Sequence, residues 1–157
     1  MFFFFHSQAR PFTQRGVSRV ATLYKKVLYR EFTDGSFTQE KPHPSHLGVL
    51  GPIIKGEVGD VVKIHFKNKA NRAFTVHSHG IFYDKSDEGA LYADHSSDDQ
   101  KRGDLVEPNK THLYTWIVTE EHAPTEGDGD CVIRMYHSHV MSVNDINTGL
   151  IGISSRI

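Results

Sequence analysis

The chain of 157 residues has a single cysteine, Cys131, and no long apolar run. One thiol excludes an internal disulfide and any cysteine-based zinc finger within this chain. Residues 2–5 are four phenylalanines, but this run is too short for a signal-peptide core or a membrane span. An excess of one charge sign is also lacking, because the formal net charge is -1. A nucleic-acid-binding protein would show a basic face, so that class is excluded.

No repeat of 20–50 residues and no low-complexity linker divides the chain, so we expect one domain. We predict a disordered or atypical N-terminus over 1–18 and a single domain over 19–157. Six segments rich in β-branched and aromatic residues alternate with turns containing Gly, Pro or Asp, at 22–32, 60–68, 73–79, 111–119, 131–139 and 149–154. This pattern is typical of an all-β sandwich or barrel. The long acidic segment 84–104 is predicted to be a functional loop.

Histidine is abundant, with 11 residues. Four of them form two copies of His-Ser-His, at 77–79 and 137–139. Residues i and i+2 of a strand point to the same side, so two such pairs on neighbouring strands would place four imidazoles around a shared space. Neutral imidazoles suit copper, zinc, iron and nickel. The two motifs therefore predict a metal site made of His77, His79, His137 and His139.

The residues alone leave the metal open. Either motif by itself could be two solvated histidines on the wet face of a strand. A cupin site needs a glutamate a few residues after the first pair and one further histidine. Here the nearest acid after His79 is Asp84 and the second motif is another pair, so the cupin pattern fits poorly. A catalytic zinc site needs three ligands and an open position, which any three of the four histidines could supply.

Four stretches, taken in order, resemble the first cupredoxin domain of the ceruloplasmin and hephaestin family of extracellular multicopper ferroxidases: LYKKVLYREFTDGSF, HLGVLGPIIKGEVGDVVKIHFKN, FTVHSHG, and EGDGDCVIRMYHSH with its following GLIG. The resemblance runs from about residue 19 to about residue 152. It implies a Greek-key sandwich or barrel of cupredoxin type, with the family's opening strand missing here. It also implies a full-length protein that is secreted or lies on the extracellular side of a membrane.

The resemblance implies half of a trinuclear copper cluster that reduces O2 to water. His77 resembles a type 2 copper ligand, and His79, His137 and His139 resemble ligands of the type 3 pair. Copper suits this work because it cycles between one-electron states, whereas zinc does not. Ser138 stands where domains that carry a type 1 copper have a cysteine. The resemblance therefore implies another cupredoxin domain of the same full-length protein, with a type 1 copper, as a partner, together with O2. Fe2+ as the reducing substrate rests on the resemblance alone, and phenols or amines are the alternatives.

The resemblance also assigns Cys131 to a disulfide whose partner is missing, whereas its residue type alone equally predicts a buried, inert thiol. We therefore expect a fragment, a truncated isoform or a broken gene model, inactive as an isolated chain. Asn109 begins an Asn-Lys-Thr sequon, which accepts a glycan only in a secreted protein.

Two further assignments fall in the acidic loop. The resemblance implies a calcium-type site that uses the Lys85 carbonyl, Gln100 and Asp104, although Gly103 replaces a second aspartate; solvated loop charges are the alternative. Oxygen ligands suit such a hard cation. Glu88 is a candidate proton relay, because O2 reduction consumes protons.

Two other functions stay open at this stage. One is a non-catalytic cupredoxin module with a structural or copper-carrying role. The other is a zinc or iron enzyme of a different β-fold. Copper stoichiometry and spectra would separate all three hypotheses.

Overall fold

The computed structural model describes residues 16–18 and 25–156. Six strands lie in this part of the chain: β1 Ile54–Gly56, β2 Val61–Lys67, β3 His77–Ser78, β4 Thr111–Ile117, β5 Val132–His137 and β6 Ile151–Arg156. The described part also holds one α-helix, α1 Ser142–Thr148, and 3₁₀ turns at Ser45–Leu47, Lys85–Asp87 and Glu120–His122. None of the described helices has the length and apolar character needed to cross a membrane.

The strands form two sheets. The larger sheet has the order β1-β6-β5-β3, in which β1 and β6 run parallel and the other neighbours run antiparallel. The smaller sheet is the antiparallel pair of β2 and β4. Side chains of β2 and β4 alternate between more exposed and more buried positions, as expected for strands with one face on a core. The predicted all-β class is confirmed, with one short helix added.

An aromatic core fills the space between the two sheets. Its centre is Tyr114 and Trp116 of β4, both fully buried, together with Tyr136 of β5. The Tyr114 hydroxyl donates a hydrogen bond to the Gly103 carbonyl at 2.7 Å, so its polar end is satisfied inside the core. Each such side chain contributes on the order of 1.5–3 kcal/mol through burial. The remaining members of the core are Tyr29, Phe74, Val76, Ile81, Val106, Val118 and Leu150.

Four of the predicted strands are confirmed, as β2, β4, β5 and β6, with ends shifted by one or two residues. The strand predicted at 73–79 shrinks to the two residues of β3. The strand predicted at 22–32 is wrong over 25–31, which has no strand assignment; Phe32 makes one bridge, to Glu40. Residues 1–15 and 19–24 lie outside the described residues, and so does most of the predicted atypical N-terminus. Neither β1 nor α1 was predicted from the sequence.

Candidate metal centre

The two His-Ser-His motifs lie on neighbouring strands of the larger sheet. β3 pairs with β5 so that His77 stands opposite His137, and the His79 N–H donates to the Met135 carbonyl at 3.0 Å. Directly opposed residues of an antiparallel pair share one face. The histidines therefore project from the outer face of the sheet, whereas Tyr136 between them packs into the core.

All four predicted ligands come together at this face. The ligand nitrogens of His77, His79 and His137 lie within 4.8 Å of one another. The ring of His139 lies 5.0 Å from that of His77 and 5.5 Å from that of His137, centroid to centroid. Two short strands thus gather four imidazoles into one cluster, as the spacing predicts.

Backbone carbonyls fix the orientation of two of these rings. His77 Nδ1 lies 2.7 Å from the Glu88 carbonyl, and His137 Nδ1 lies 2.9 Å from the Ser138 carbonyl. A carbonyl can only accept, so both Nδ1 atoms carry the proton and both Nε2 atoms keep a lone pair. The Nε2 atoms of His79 and His137 are 3.0 Å apart. The Nε2–H of His79 therefore donates this bond to the Nε2 lone pair of His137.

The cluster favours neutral imidazoles. Burial lowers the pKa of His77 to about 4, the neighbouring imidazoles add to this effect, and the bond to the Glu88 carbonyl opposes it. Partial burial, then His137 and His139, lower the pKa of His79. These two rings are therefore uncharged at neutral pH, which is the form that binds a metal ion.

A hydrogen-bond network supports both motifs from the interior. The Ser138 hydroxyl donates to Asp145 Oδ2 at 2.8 Å and accepts from the Thr75 N–H at 3.1 Å. The Thr75 hydroxyl accepts from the His139 N–H at 3.0 Å. The serine of the second motif thus connects the segment before the first motif to the segment after β5.

Asp145 of α1 anchors this network. Its fully buried carboxylate also accepts from the Met141 N–H at 3.0 Å and from Arg72 Nη2 at 2.9 Å. In contrast, the Ser78 hydroxyl of the first motif has no hydrogen-bond partner among the described residues. The two serines are therefore alike in sequence and different in structural role.

Gly89 lets the acidic loop reach His77. Its φ angle is 69°, and a Cβ at this position would stand 2.5 Å from the Val76 carbonyl oxygen. Only glycine tolerates both conditions. The close approach of the loop brings the Glu88 carbonyl onto His77, while the Glu88 carboxylate forms an ion pair with Lys85 Nζ at 2.9 Å. The proton-relay role of Glu88 stays a prediction.

An ammonium group occupies the centre of the acidic loop. Lys85 Nζ lies 2.6 Å from Asp104 Oδ2 and 2.9 Å from the Ala90 carbonyl. Burial lowers the pKa of Lys85, but bonds to Asp104 and Glu88 outweigh this effect and raise it. Gln100 instead accepts from the Ser97 N–H and hydroxyl. Two of the three predicted calcium ligands, Lys85 and Asp104, thus lie together, but the contact uses the lysine ammonium and not its carbonyl. The calcium assignment stays a prediction.

Cys131 and Asn109 both lie at the surface. Cys131 is exposed, so the prediction of a buried thiol is wrong; its assignment to a disulfide stays a prediction. Asn109 is exposed and adopts a φ of 64° in the turn before β4. Its side chain is accessible, and glycosylation there stays a prediction.

Sequence reasoning missed the supports of the site. Thr75, Gly89 and Asp145 carry no motif, and their roles depend on residues distant in the chain. The one available signal was Gly89 itself, inside a polar loop close after the first motif, since an isolated glycine often marks a close backbone approach.

A family model described as multicopper oxidase matches residues 47–155. The chain is 50% identical over 141 residues to ferroxidase HEPHL1 of Homo sapiens and 49% identical over 144 residues to hephaestin of Mus musculus. It is also 50% identical over 141 residues to ceruloplasmin of Homo sapiens. These alignments cover 90%, 92% and 90% of the chain, but 12%, 12% and 13% of the relatives. The chain therefore spans about an eighth of the length of these relatives.

Two solved structures share the fold. A multi-copper oxidase from Pseudomonas thermotolerans aligns with a TM-score of 0.50 at 23% identity, covering 66% of this chain and 21% of that one. The laccase-like multi-copper oxidase CueO from Ochrobactrum sp. aligns with a TM-score of 0.51 at 16% identity, covering 69% and 20%. At these identities the likeness concerns the fold alone, and it confirms the predicted cupredoxin type. With the family model matching more than half of the sequence, this chain, with its four clustered histidines, belongs to the multicopper oxidase family.

Proposed function

We propose that this chain is a copper-binding domain that supplies half of an O2-reducing trinuclear cluster, the other half coming from a second cupredoxin domain. The observation that carries the proposal is the convergence of four imidazoles on the outer face of the larger sheet, with three ligand nitrogens within 4.8 Å of one another. Copper bound there would supply one-electron redox chemistry toward O2. By similarity to the ferroxidases, Fe2+ is the proposed reducing substrate of the whole protein.

The donor set fits copper. All the candidate ligand atoms are imidazole nitrogens, which suit copper and zinc and are not the oxygen ligands that calcium or magnesium require. The Nδ1 protons of His77 and His137 are already engaged by carbonyls. Each ring therefore offers its Nε2 atom in a fixed orientation, so little reorganisation is needed when a metal ion binds.

The surroundings of the cluster support a shared site. Met135 of β5 lies beside His79, whose N–H donates to the Met135 carbonyl, and Ile133 continues the same face of the strand; they are 45% and 63% exposed. Apolar side chains left exposed next to a polar cluster are typical of an interaction surface. Three copper ions also need more ligands than four imidazoles provide. A second domain docked on this face would cover the apolar residues and complete the metal coordination.

The electrons must come from outside this domain. Ser138 takes the place of a copper-binding cysteine, and its hydroxyl is bonded to Thr75 and Asp145. Cys131 precedes β5, whereas His137 ends it. Six strand residues span about 20 Å, so this thiol cannot join the histidine cluster. The chain's own residues therefore hold and orient the metal ions, and the reducing equivalents enter from a partner domain.

Metal titration of the 157-residue chain tests the proposal. We expect Cu2+ to bind, with nitrogen hyperfine structure in the electron paramagnetic resonance spectrum and without an intense blue absorption band. His79→Gln and His137→Gln should each weaken binding at least about tenfold, a loss of about 1.4 kcal/mol or more. His46→Gln changes an exposed histidine in a different part of the fold and serves as the matched control.

Two results would contradict the copper assignment. Equal copper affinity in all three variants would mean that copper binds to surface histidines. Tight binding of Zn2+ together with hydrolytic activity would favour the zinc enzyme instead, because three of these imidazoles could form a catalytic zinc site with an open position.

A further inference from the structure

A buried guanidinium lies at the end of β6. Arg156 is fully buried. Its Nη1 donates to the Ser155 carbonyl at 3.2 Å, but its Nε and Nη2 have no hydrogen-bond partner among the described residues. These two nitrogens form one edge of the guanidinium, and their N–H bonds run in parallel, which is the arrangement that binds two oxygens of a carboxylate or phosphate. A complete bidentate donor pair is therefore buried without an acceptor.

The strand register places a second guanidinium and a hydroxyl beside Arg156. Between β5 and β6, Arg134 stands opposite Ser154, and Val132 stands opposite Arg156. Directly opposed residues share a face of the sheet, and diagonal neighbours such as Arg134 and Arg156 lie about 7–8 Å apart, within reach of long side chains. The Ser154 hydroxyl is fully buried and also has no hydrogen-bond partner in the described part of the chain.

No aspartate or glutamate neutralises the two arginines. Neither of them forms an ion pair with any described residue, and the rest of the chain contains no aspartate or glutamate. Bonds to Thr125, and then the charge of Arg134, lower the pKa of Asp128. The Asp128 carboxylate is nevertheless held by the N–H and the hydroxyl of Thr125. The positive charges of this pair are therefore without a side-chain counterion.

A buried charge of this kind destabilises the fold unless an anion binds to it. Removing a guanidinium from water costs free energy, which is recovered only when its donors are bonded and its charge is balanced. Burial, and then the charge of Arg134, lower the pKa of Arg156, as expected for a cation without a counterion. An anion that accepts from Nε and Nη2 would recover this free energy.

We propose that Arg156, Arg134 and Ser154 form a binding site for a small, doubly charged oxyanion such as phosphate or sulfate. Two of its oxygens accept from Nε and Nη2 of Arg156, and a third accepts from the Ser154 hydroxyl. Its two negative charges balance the two guanidiniums, whereas chloride has one charge and a single atom for both donors. Arg134 is exposed and packs against Gly80, where a Cβ would stand 2.7 Å from its Nε. It forms the solvent side of the site, so the anion enters beside it.

The oxyanion site is separate from the histidine cluster. Arg134 and Arg156 project from the same side of the larger sheet as Tyr136, because all three alternate with the positions of the outer face. His77 and His137 project from the outer face. Oxyanion binding therefore does not depend on the proposed copper function, and each can fail without the other.

Titration with inorganic phosphate tests the proposal on the full 157-residue chain. In a buffer without other oxyanions, we expect calorimetry to show one phosphate bound per chain. Arg156→Lys keeps the charge but loses the paired donors, so it should weaken binding at least about tenfold. Arg134→Gln should weaken binding at least about threefold, a smaller effect because water screens an exposed charge. Arg102→Gln, at an exposed arginine paired with Asp99, is the matched control and should bind as the parent does.

Urea unfolding of Arg156→Met separates binding from folding. Without oxyanions this variant should be more stable than the parent, because it replaces an unpaired buried charge by an apolar side chain of similar length. Phosphate should stabilise the parent more than it stabilises Arg156→Met, since only the parent binds the anion in this site. The fluorescence of Trp116, which is fully buried, follows unfolding in both chains.

The Nε–H resonance of Arg156 locates the bound anion. In the nitrogen–proton NMR spectrum, the arginine Nε–H signal that Arg156→Lys removes should shift as phosphate is added to the parent. Absence of binding would overturn the proposal. Equal affinity in Arg156→Lys, or binding that leaves this signal unmoved, would mean an adventitious ion only and would also overturn it.

A lengthened chain tests whether the terminal carboxylate is the natural acceptor. Adding Gly-Ser-Gly-Ser after residue 157 moves that carboxylate away from Arg156. We expect the lengthened chain to bind phosphate as tightly as the parent does. Binding by the lengthened chain alone would mean that the terminal carboxylate occupies the donors of Arg156, and the proposal would be wrong.

Discussion

Neutralising Asp145 tests whether the network behind the histidines is a main source of the domain's stability. Asp145 is fully buried and accepts from Ser138, Met141 and Arg72. In Asp145→Asn one amide oxygen still accepts from Ser138 and Met141, but the amide nitrogen then faces the guanidinium of Arg72. Hydrogen bonds to a charged group contribute about 1.5–3 kcal/mol. We expect the free energy of unfolding to fall by about 2 kcal/mol. The value lies below the upper end of that range because the Arg72 side chain is 49% exposed and can turn to water.

Asp145→Ala removes all the acceptors and should cost more. Ser138 then keeps a buried donor without a partner and Met141 a part-buried one. An unsatisfied donor costs about 1–3 kcal/mol, so the two together should cost about 3–5 kcal/mol. For a chain of this size, 1 kcal/mol corresponds to about 2–4 °C in Tm. The alanine variant should therefore unfold about 6–20 °C below the parent chain. In the Asp145→Ala background, Ser138→Ala should lower the free energy of unfolding by less than it does in the parent chain, because both substitutions remove the same hydrogen bond.

Urea unfolding measures these differences. The chain has one tryptophan, Trp116, fully buried in the core, so its fluorescence reports global unfolding. Asp98→Asn makes the same charge change at an exposed position and should stay within about 0.5 kcal/mol of the parent. If Asp145→Asn and Asp145→Ala both match that control, Asp145 does not anchor the site and the reasoning from its three bonds is refuted.

Three further changes test other parts of the fold. Asp104→Asn removes one of the two carboxylates that lie within 2.9 Å of the Lys85 ammonium, while Glu88 remains, and should cost about 1–2 kcal/mol in urea unfolding; a cost equal to that of Glu107→Gln, at an exposed acid, would contradict this. Gly152→Ala places a Cβ 2.1 Å from the Tyr136 ring and should cost about 1–3 kcal/mol, whereas Gly127→Ala, in open space, should be neutral. The exposed thiol of Cys131 should react with a disulfide dye as fast in the native chain as in urea, and slow native reaction would contradict its exposure.

The site was predictable because its signal is local. A repeat of His-Ser-His fixes which side chains share a strand face, and the register of β3 and β5 then brings the two pairs together. Strands β2 and β4 were predictable for a similar reason, since each alternates over seven residues against a single core. Local periodicity was sufficient in these segments because it agrees with the tertiary packing.

Elements that depend on distant partners were missed. The sequence of α1, Ser142–Thr148, is polar and lacks strong helix formers. Asp145 inside it accepts from the Met141 N–H at the helix start and also from Ser138 and Arg72, which lie outside the helix. The stretch 25–31 has the composition of a strand, yet composition cannot supply the neighbouring edge that a strand needs. The missing information in both places was the identity of the partner.

The hydrogen bond from His77 to the Glu88 carbonyl makes an intact acidic loop part of the candidate metal centre. The loop is held at its base by the close contact of Gly89 with Val76 and by the ion pair of Lys85 with Asp104. A protease that cuts the mostly exposed stretch 95–99 would leave all four clustered histidines in the chain. It would nevertheless free one end of the loop that holds the Glu88 carbonyl on His77, so the imidazole could rotate. We therefore expect a chain cut in this stretch to bind copper more weakly than the intact chain, although the cleaved bonds do not belong to any of the four candidate ligands.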